Sequence, residues 1–200
     1  MKKVLSLIFF MVISMQIYSL TPLPTVYEIK EDGVYYAGKN TQIDKDTFEE
    51  ILGGRREYGK DKKSVYYNGK VVQGADPETI EAMGLYAKDK KNVYYMGKKI
   101  NGADPDTIIV WGNYSKDKKN VYFQRTKVEK ADTETFEVFL YEYYAMIPKT
   151  GYSYFAKDKK NIYSGDKILE SADLKTFKVS DYNKASDKNK KYTSDIKTEN

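Results

Sequence analysis

The sequence contains no cysteine and no histidine in its 200 residues. Without cysteine there is no disulfide framework, thiolate metal site or thiol nucleophile. Without histidine no imidazole can act as general base, proton shuttle or ligand. Proline is scarce, at five residues, and tryptophan occurs once. An excess of one charge is also missing: 34 Lys plus Arg against 29 Asp plus Glu leave +5, too small and too mixed for a dedicated nucleic-acid binder. Beyond the first 20 residues no long apolar run occurs.

That first segment begins with Lys2 and Lys3, continues through the apolar Val4 to Ile13 and the mixed Ser14 to Leu20, and ends at Pro22 and Pro24. It reads as a secretory signal peptide over residues 1–19, cleaved near Ser19, followed by a linker over 20–26. Its apolar core falls short of the roughly 20 residues a spanning helix needs. The expectation is an exported protein of the periplasm, the cell surface or the medium, with no stable membrane span after cleavage.

Tyrosine is abundant, at 20 residues, and most of it belongs to a repeat. Lys60-Asp61-Lys62-Lys63-Ser64-Val65-Tyr66-Tyr67 returns at Lys88 to Tyr95, at Lys116 to Phe123 and at Lys157 to Ser164. The leading aspartates Asp61, Asp89, Asp117 and Asp158 stand 28, 28 and 41 residues apart. A shorter first copy ends at Tyr35-Tyr36, and Asp187 to Tyr192 looks like a decayed last one. Between these blocks runs a second motif: Ala75-Asp76-Pro77-Glu78-Thr79, Ala103-Asp104-Pro105-Asp106-Thr107, Ala131-Asp132-Thr133-Glu134-Thr135 and Ala172-Asp173-Leu174-Lys175-Thr176. Self-similarity at such a period marks a repeat architecture.

The recurring Asp-Lys-Lys-Asn-Val-Tyr-Tyr block, with its glycine turn and its Ala-Asp-x-x-Thr sequel, resembles the DKNYY family of bacterial exported proteins over Tyr27 to Tyr182. Ser64 in place of Asn and Ser164 in place of the second aromatic depart from the pattern. The resemblance implies a repeat protein defined by its motif and brings no assigned activity.

Each block has a physical reading. Asp-Lys-Lys-Asn between β-prone runs is a hairpin connection; its lysines would repel the calcium ion that an acidic loop holds. The pairs Ala37-Gly38, Asn68-Gly69, Met96-Gly97 and Gly165-Asp166 are two-residue hairpin turns, which set Tyr67 opposite Lys70, Tyr66 opposite Val71 and Val65 opposite Val72. One face then collects Val65, Val72, Val93, Ile100, Val121, Val128, Ile162 and Leu169 as core, and the other collects Tyr66, Tyr94, Tyr122 and Tyr163. The Asp-x-x-Thr motif reads as the start of a short helix, with Asp76 as cap, Pro77 in the first turn and Gly84 at the end. In such helices Ile80 with Met83, and Ile108 with Trp111, would share an apolar side.

The predicted fold is therefore mainly β with short helices, an α+β repeat: an elongated array of about five hairpin-plus-helix units of roughly 28 residues over 27–180. Residues 181–200, mostly polar, read as a disordered tail holding the repeat remnant. The aromatic insertion Phe139 to Pro148 reads either as a loop on a binding face or as a helix extended by two turns.

Candidate binding residues are Tyr66, Tyr94, Tyr122 and Tyr163, with Tyr141 and Tyr144 of the insertion and Lys99 and Lys127 beside the repeat tyrosines. Exposed Tyr and Lys repeated along an array suit a cell-envelope polymer or a partner protein; a plainer reading has the tyrosines covering the second face of thin sheets. No Gly-x-Ser-x-Gly and no phosphate loop occurs, and Ser-x-x-Lys at Ser115 and Ser164 falls in turns expected to be exposed. The sequence predicts a noncatalytic protein without cofactor or metal, acting in envelope binding or as a structural spacer, and no nucleic-acid partner.

Overall fold

Short β-prone runs, broken every few residues by Asp or Gly turns, leave no room for long elements. The computed structural model describes residues 27–54, 56–144 and 148–194, and these fold into 22 strands without a helix. The expected signal peptide and linker lie outside the described residues. So do Ala145, Met146 and Ile147 of the insertion.

The strands form six antiparallel sheets in which sequence neighbours are sheet neighbours. The third sheet shows the plan: Glu81–Met83, Tyr86–Lys88, Val93–Tyr95 and Lys98–Lys99. The second, fourth and fifth sheets repeat it with four strands each, whereas among the described residues the first has no opening strand and the sixth (Lys178–Asp181, Lys184–Ser186, Lys191–Thr193) no closing one. The two-residue turns hold the expected register: Tyr66 pairs with Val71, Tyr67 with Lys70, Tyr94 with Lys99 and Tyr122 with Lys127.

The expected helices are absent, so the fold is an all-β repeat array and not an α+β one. Asp76-Pro77-Glu78-Thr79 closes a single turn, in which Asp76 accepts from the Glu78 N–H at 2.9 Å and from the Thr79 hydroxyl at 2.9 Å. Helices of two turns are marginal unless packing favours them, and here packing favours a strand. Glu81–Met83 pairs with Tyr86–Lys88, setting Ala82 opposite Ala87, and the alternation of exposed Glu81 with buried Ala82 fits a strand of period two. Gly84, at φ +67°, opens the hairpin turn between them and does not end a helix.

Two further expectations change. Residues 178–194 form the sixth sheet, so the polar tail expected from 181 is structured as far as Ser194 and the decayed copy is a working one. The insertion is neither a loop nor a lengthened helix: it extends the first hairpin of the fifth sheet, where Glu137–Tyr144 runs antiparallel to Pro148–Lys157 with an irregularity between Val138 and Leu140.

Buried residues gather in five clusters, one at each boundary between successive sheets. Tyr58, Val65, Val72 and Ile80 of the second repeat, for example, pack with Ala87 and Tyr94 of the third, and Tyr86, Val93, Tyr95 and Ile100 of the third pack with Tyr122 of the fourth. No sheet of three or four short strands owns a core, so each is stabilised by the next. Val93 and Ile100 are buried as the register requires; Ile108 and Trp111 are only half-buried.

Candidate functional site

The leading aspartate of the four interior repeats is buried, at 4–5% exposure for Asp61, Asp89, Asp117 and Asp158. Burying a carboxylate is costly unless donors surround it, and here they do. In the third repeat Asp89 Oδ1 accepts the Lys91 and Asn92 N–H groups, each at 2.7 Å, while Oδ2 accepts the Tyr94 hydroxyl at 2.8 Å and the Asp76 N–H at 3.1 Å. The same four kinds of donor meet Asp61, Asp117 and Asp158, and Asp187 in the last copy. Asp thus ties its own turn, the first tyrosine of its motif and the preceding Asp-x-x-Thr block into one knot. The threonine of that block adds a further tie, as Thr79 Oγ1 accepts the Lys90 N–H at 3.3 Å.

Burial alone would raise these carboxyls, but the hydrogen bonds outweigh it and hold Asp61, Asp89 and Asp158 below their ordinary value. Burial first, and the Asp partner with it, pushes the Tyr66 and Tyr122 hydroxyls up to about 12 and those of Tyr94 and Tyr163 upward as well. An ionised acceptor with four donors and a phenol kept protonated form a structural lock. Neither is poised to exchange a proton near neutral pH.

This overturns the exposure expected of four candidate residues. Tyr66, Tyr94, Tyr122 and Tyr163 are buried, at 6, 0, 1 and 0%, because the neighbouring sheet covers the face that an isolated hairpin would leave open. Tyr141 is half-buried, its ring over Gly151 and beside those of Tyr143 and Tyr182, at 5.7 and 5.9 Å between centroids. Tyr144 pairs with Pro148 near the hairpin tip. Lys99 and Lys127 are exposed as expected, on edge strands opposite Tyr94 and Tyr122. Ser115 is fully buried in a strand, not in an exposed turn, and Lys118 is exposed on the turn beyond it; Ser164 is half-buried against Ser194.

A second set of tyrosines, which the motif reading passed over, joins one repeat to the next. Tyr27 donates to the Glu57 carbonyl at 3.0 Å and accepts the Gly69 N–H at 3.0 Å; Tyr58 donates to Leu85 at 3.2 Å and accepts from Gly97 at 2.9 Å. Tyr86 donates to Asn113 at 2.8 Å, and the Tyr114 hydroxyl lies 2.9 and 3.0 Å from the Tyr154 and Gly165 carbonyls. Each also packs its ring, tilted or edge-on, against the second aromatic of its own motif, as in Tyr58 with Tyr67 at 4.8 Å and Tyr86 with Tyr95 at 4.9 Å between centroids. The available signal was the aromatic three residues before every interior Asp, at Tyr58, Tyr86, Tyr114 and Phe155.

Stacked antiparallel sheets, of which the second, third and fourth each combine an Asp-bonded turn with a tyrosine lent to the next copy, define a β-repeat protein whose motif residues build the array. A family model described as the DKNYY family matches residues 6–84 and, overlapping them, 58–196. The chain belongs to the DKNYY family. Comparison with curated proteins and with solved structures yielded no match.

Proposed function

We propose that the protein is exported and acts outside the cytoplasm as a noncatalytic repeat scaffold that presents an extended surface to a cell-envelope polymer or partner protein. The observation that carries this reading is the commitment of the motif: its Asp and Tyr groups, repeated copy after copy, are spent on joining turns and neighbouring sheets. What remains on the surface is the same short edge strand in successive sheets, and such repetition multiplies a weak contact. The Lys2-Lys3 head and short apolar run support export. With the tyrosines inside, lysines such as Lys99 and Lys127 take over the contacting role.

Residues 20–200 bearing a small tag, incubated with whole cells, isolated cell wall and outer-membrane fractions, test the proposal. Retention on one envelope fraction, with no chemical change in the retained material, is the expected result. Recovery of the whole sample unbound from all three would end it.

A further inference from the structure

Several lysines of the second strands and of the turns meet carboxylates: Lys60 with Glu49, Lys88 with Glu81, Lys157 with Glu137, Lys62 with Asp44, and Lys159 and Lys188 with Asp132 and Asp173 at 2.6 Å each. Other turn lysines, such as Lys63, Lys91 and Lys160, have no carboxylate partner among the described residues, and neither do the lysines that open the fourth strands. Lys39, Lys70, Lys98 and Lys167 occupy one register position, opposite Tyr36, Tyr67, Tyr95 and Ser164. All four are exposed, and no carboxylate pairs with any of them among the described residues.

Two grooves show the same asymmetry. At the Asp-Lys-Lys-Asn end, a groove between the second and third repeats is lined by Asp46, Glu49, Asp61 and Glu78 together with Lys60 and Lys62. At the opposite end, a groove of about 240 Å³ crosses three repeats, with Lys70 from the second, Lys98 from the third and Arg125 from the fourth, and no carboxylate in its walls. Beyond it a second groove, of about 540 Å³, reaches Thr126 and Lys167, with Asp166 as its one acidic residue. Lysine on an edge strand guards against unwanted strand pairing, which accounts for a lysine on each edge. It does not account for acidic groups being gathered at one end and cations lining a groove at the other.

We infer that the fourth-strand edge, from Lys39 through Lys70 and Lys98 to Lys167, is the binding surface for a linear polyanion, a polymer bearing repeated phosphate or carboxylate groups. This rests on the reading of the chain as a noncatalytic interaction module and names the class of its ligand. A lysine at this position in four of the five repeats, with Thr126 standing there in the fourth, suits a chain that runs across the repeats, since a small anion would meet only one or two of them. Affinity accumulates with polymer length and falls with salt as counterions are released.

Fluorescence anisotropy on residues 20–200, with end-labelled inorganic polyphosphate and a labelled polyuronate as probes and pyrophosphate as competitor, tests the inference and separates the two anion sources. Binding of at least one polymer, with pyrophosphate a poor competitor at equal phosphate, is expected. The triple variant Lys70→Gln/Lys98→Gln/Lys167→Gln should weaken it about tenfold or more and flatten the salt dependence. Lys63→Gln/Lys91→Gln/Lys160→Gln removes as much charge from the other end and should bind like the parent. The arginine version of the first triple should retain binding, which guards against a folding artefact. Equal loss in both glutamine triples overturns the inference. So does retention on an envelope fraction with no affinity for either polymer, an outcome that leaves the scaffold role standing.

Discussion

At the residue scale, one aspartate and one tyrosine explain why the motif is written as it is. Asp89 needs the hydroxyl of Tyr94 as much as Tyr94 needs an acceptor, because both are buried. Replacing Tyr94 by Phe keeps the ring and removes one of four donors to the carboxylate, so thermal or urea unfolding should report a loss of about 1–3 kcal/mol. A pH effect follows from the tyrosines. Their hydroxyls ionise near 10 in the unfolded chain and near 12 in the folded one at Tyr66 and Tyr122. This contribution to stability is complete below 10 and is lost as pH rises toward 12. In an alkaline titration the tyrosinate absorbance of the buried set should therefore appear together with loss of the β-sheet dichroism. Ionisation of all 20 tyrosines at ordinary pH with the sheets intact would contradict it.

At the element scale, the hairpin turn is where one repeat meets another. Gly97 sits at φ +73° with the Tyr67 Cβ only 2.6 Å from where its own Cβ would stand, while Gly38 sits at φ +76° with nothing within 4 Å. The two turns share a backbone conformation and differ in having a preceding repeat against them. Gly38→Ala should cost only the backbone term of about 1–2 kcal/mol, and Gly97→Ala a further ~1–3 kcal/mol for overpacking. Equal melting temperatures for the two variants would mean that the Tyr67 contact contributes nothing. The segment after Asp76 shows why elements were harder to read than turns. Asp, Pro and an i, i+3 pair of apolar residues satisfy the pattern of a helix start, and the same residues satisfy one closed turn followed by a strand. The second outcome prevails because Gly84-Leu85 returns the chain at once, letting Ala82 pair against Ala87.

At the scale of the whole molecule, stability should behave as a sum over repeats and their boundaries. Asp89 and Asp117 are equivalent, so deleting residues 89–116, one period of 28, joins Lys88 to Asp117 in register. The shortened chain should fold with the same β-sheet dichroism, melt cooperatively and at lower temperature, and keep the oligomeric state of the parent; an unfolded or aggregated product would show that the repeats are not interchangeable. Where interior repeats place Tyr58, Tyr86 or Tyr114 toward the next copy, the sixth sheet has Lys184, exposed and 3.8 Å from Asp181, a polar residue at the position that elsewhere carries the joining tyrosine.

The turns, the hairpin register and the period were determined by the sequence alone, because each depends on residues a few positions apart: an Asp and the amides two and three residues on, a Gly at positive φ, a Val directly across a two-residue turn. The burial of Tyr66, Tyr94, Tyr122 and Tyr163 was decided only by tertiary structure, since a face left open in one hairpin is covered by a sheet some 28 residues away. Stacking likewise turned Asp-x-x-Thr into a turn clamped to the neighbouring aspartate, and drew the polar segment from Lys178 to Ser194 into a sixth sheet through Asp187 and Tyr192. The lysine edge was present in the sequence as Gly38-Lys39, Gly69-Lys70 and Gly97-Lys98. Its asymmetry became visible only when the sheets were stacked, because local spacing gives each lysine a strand position but not the charges that neighbouring repeats bring beside it.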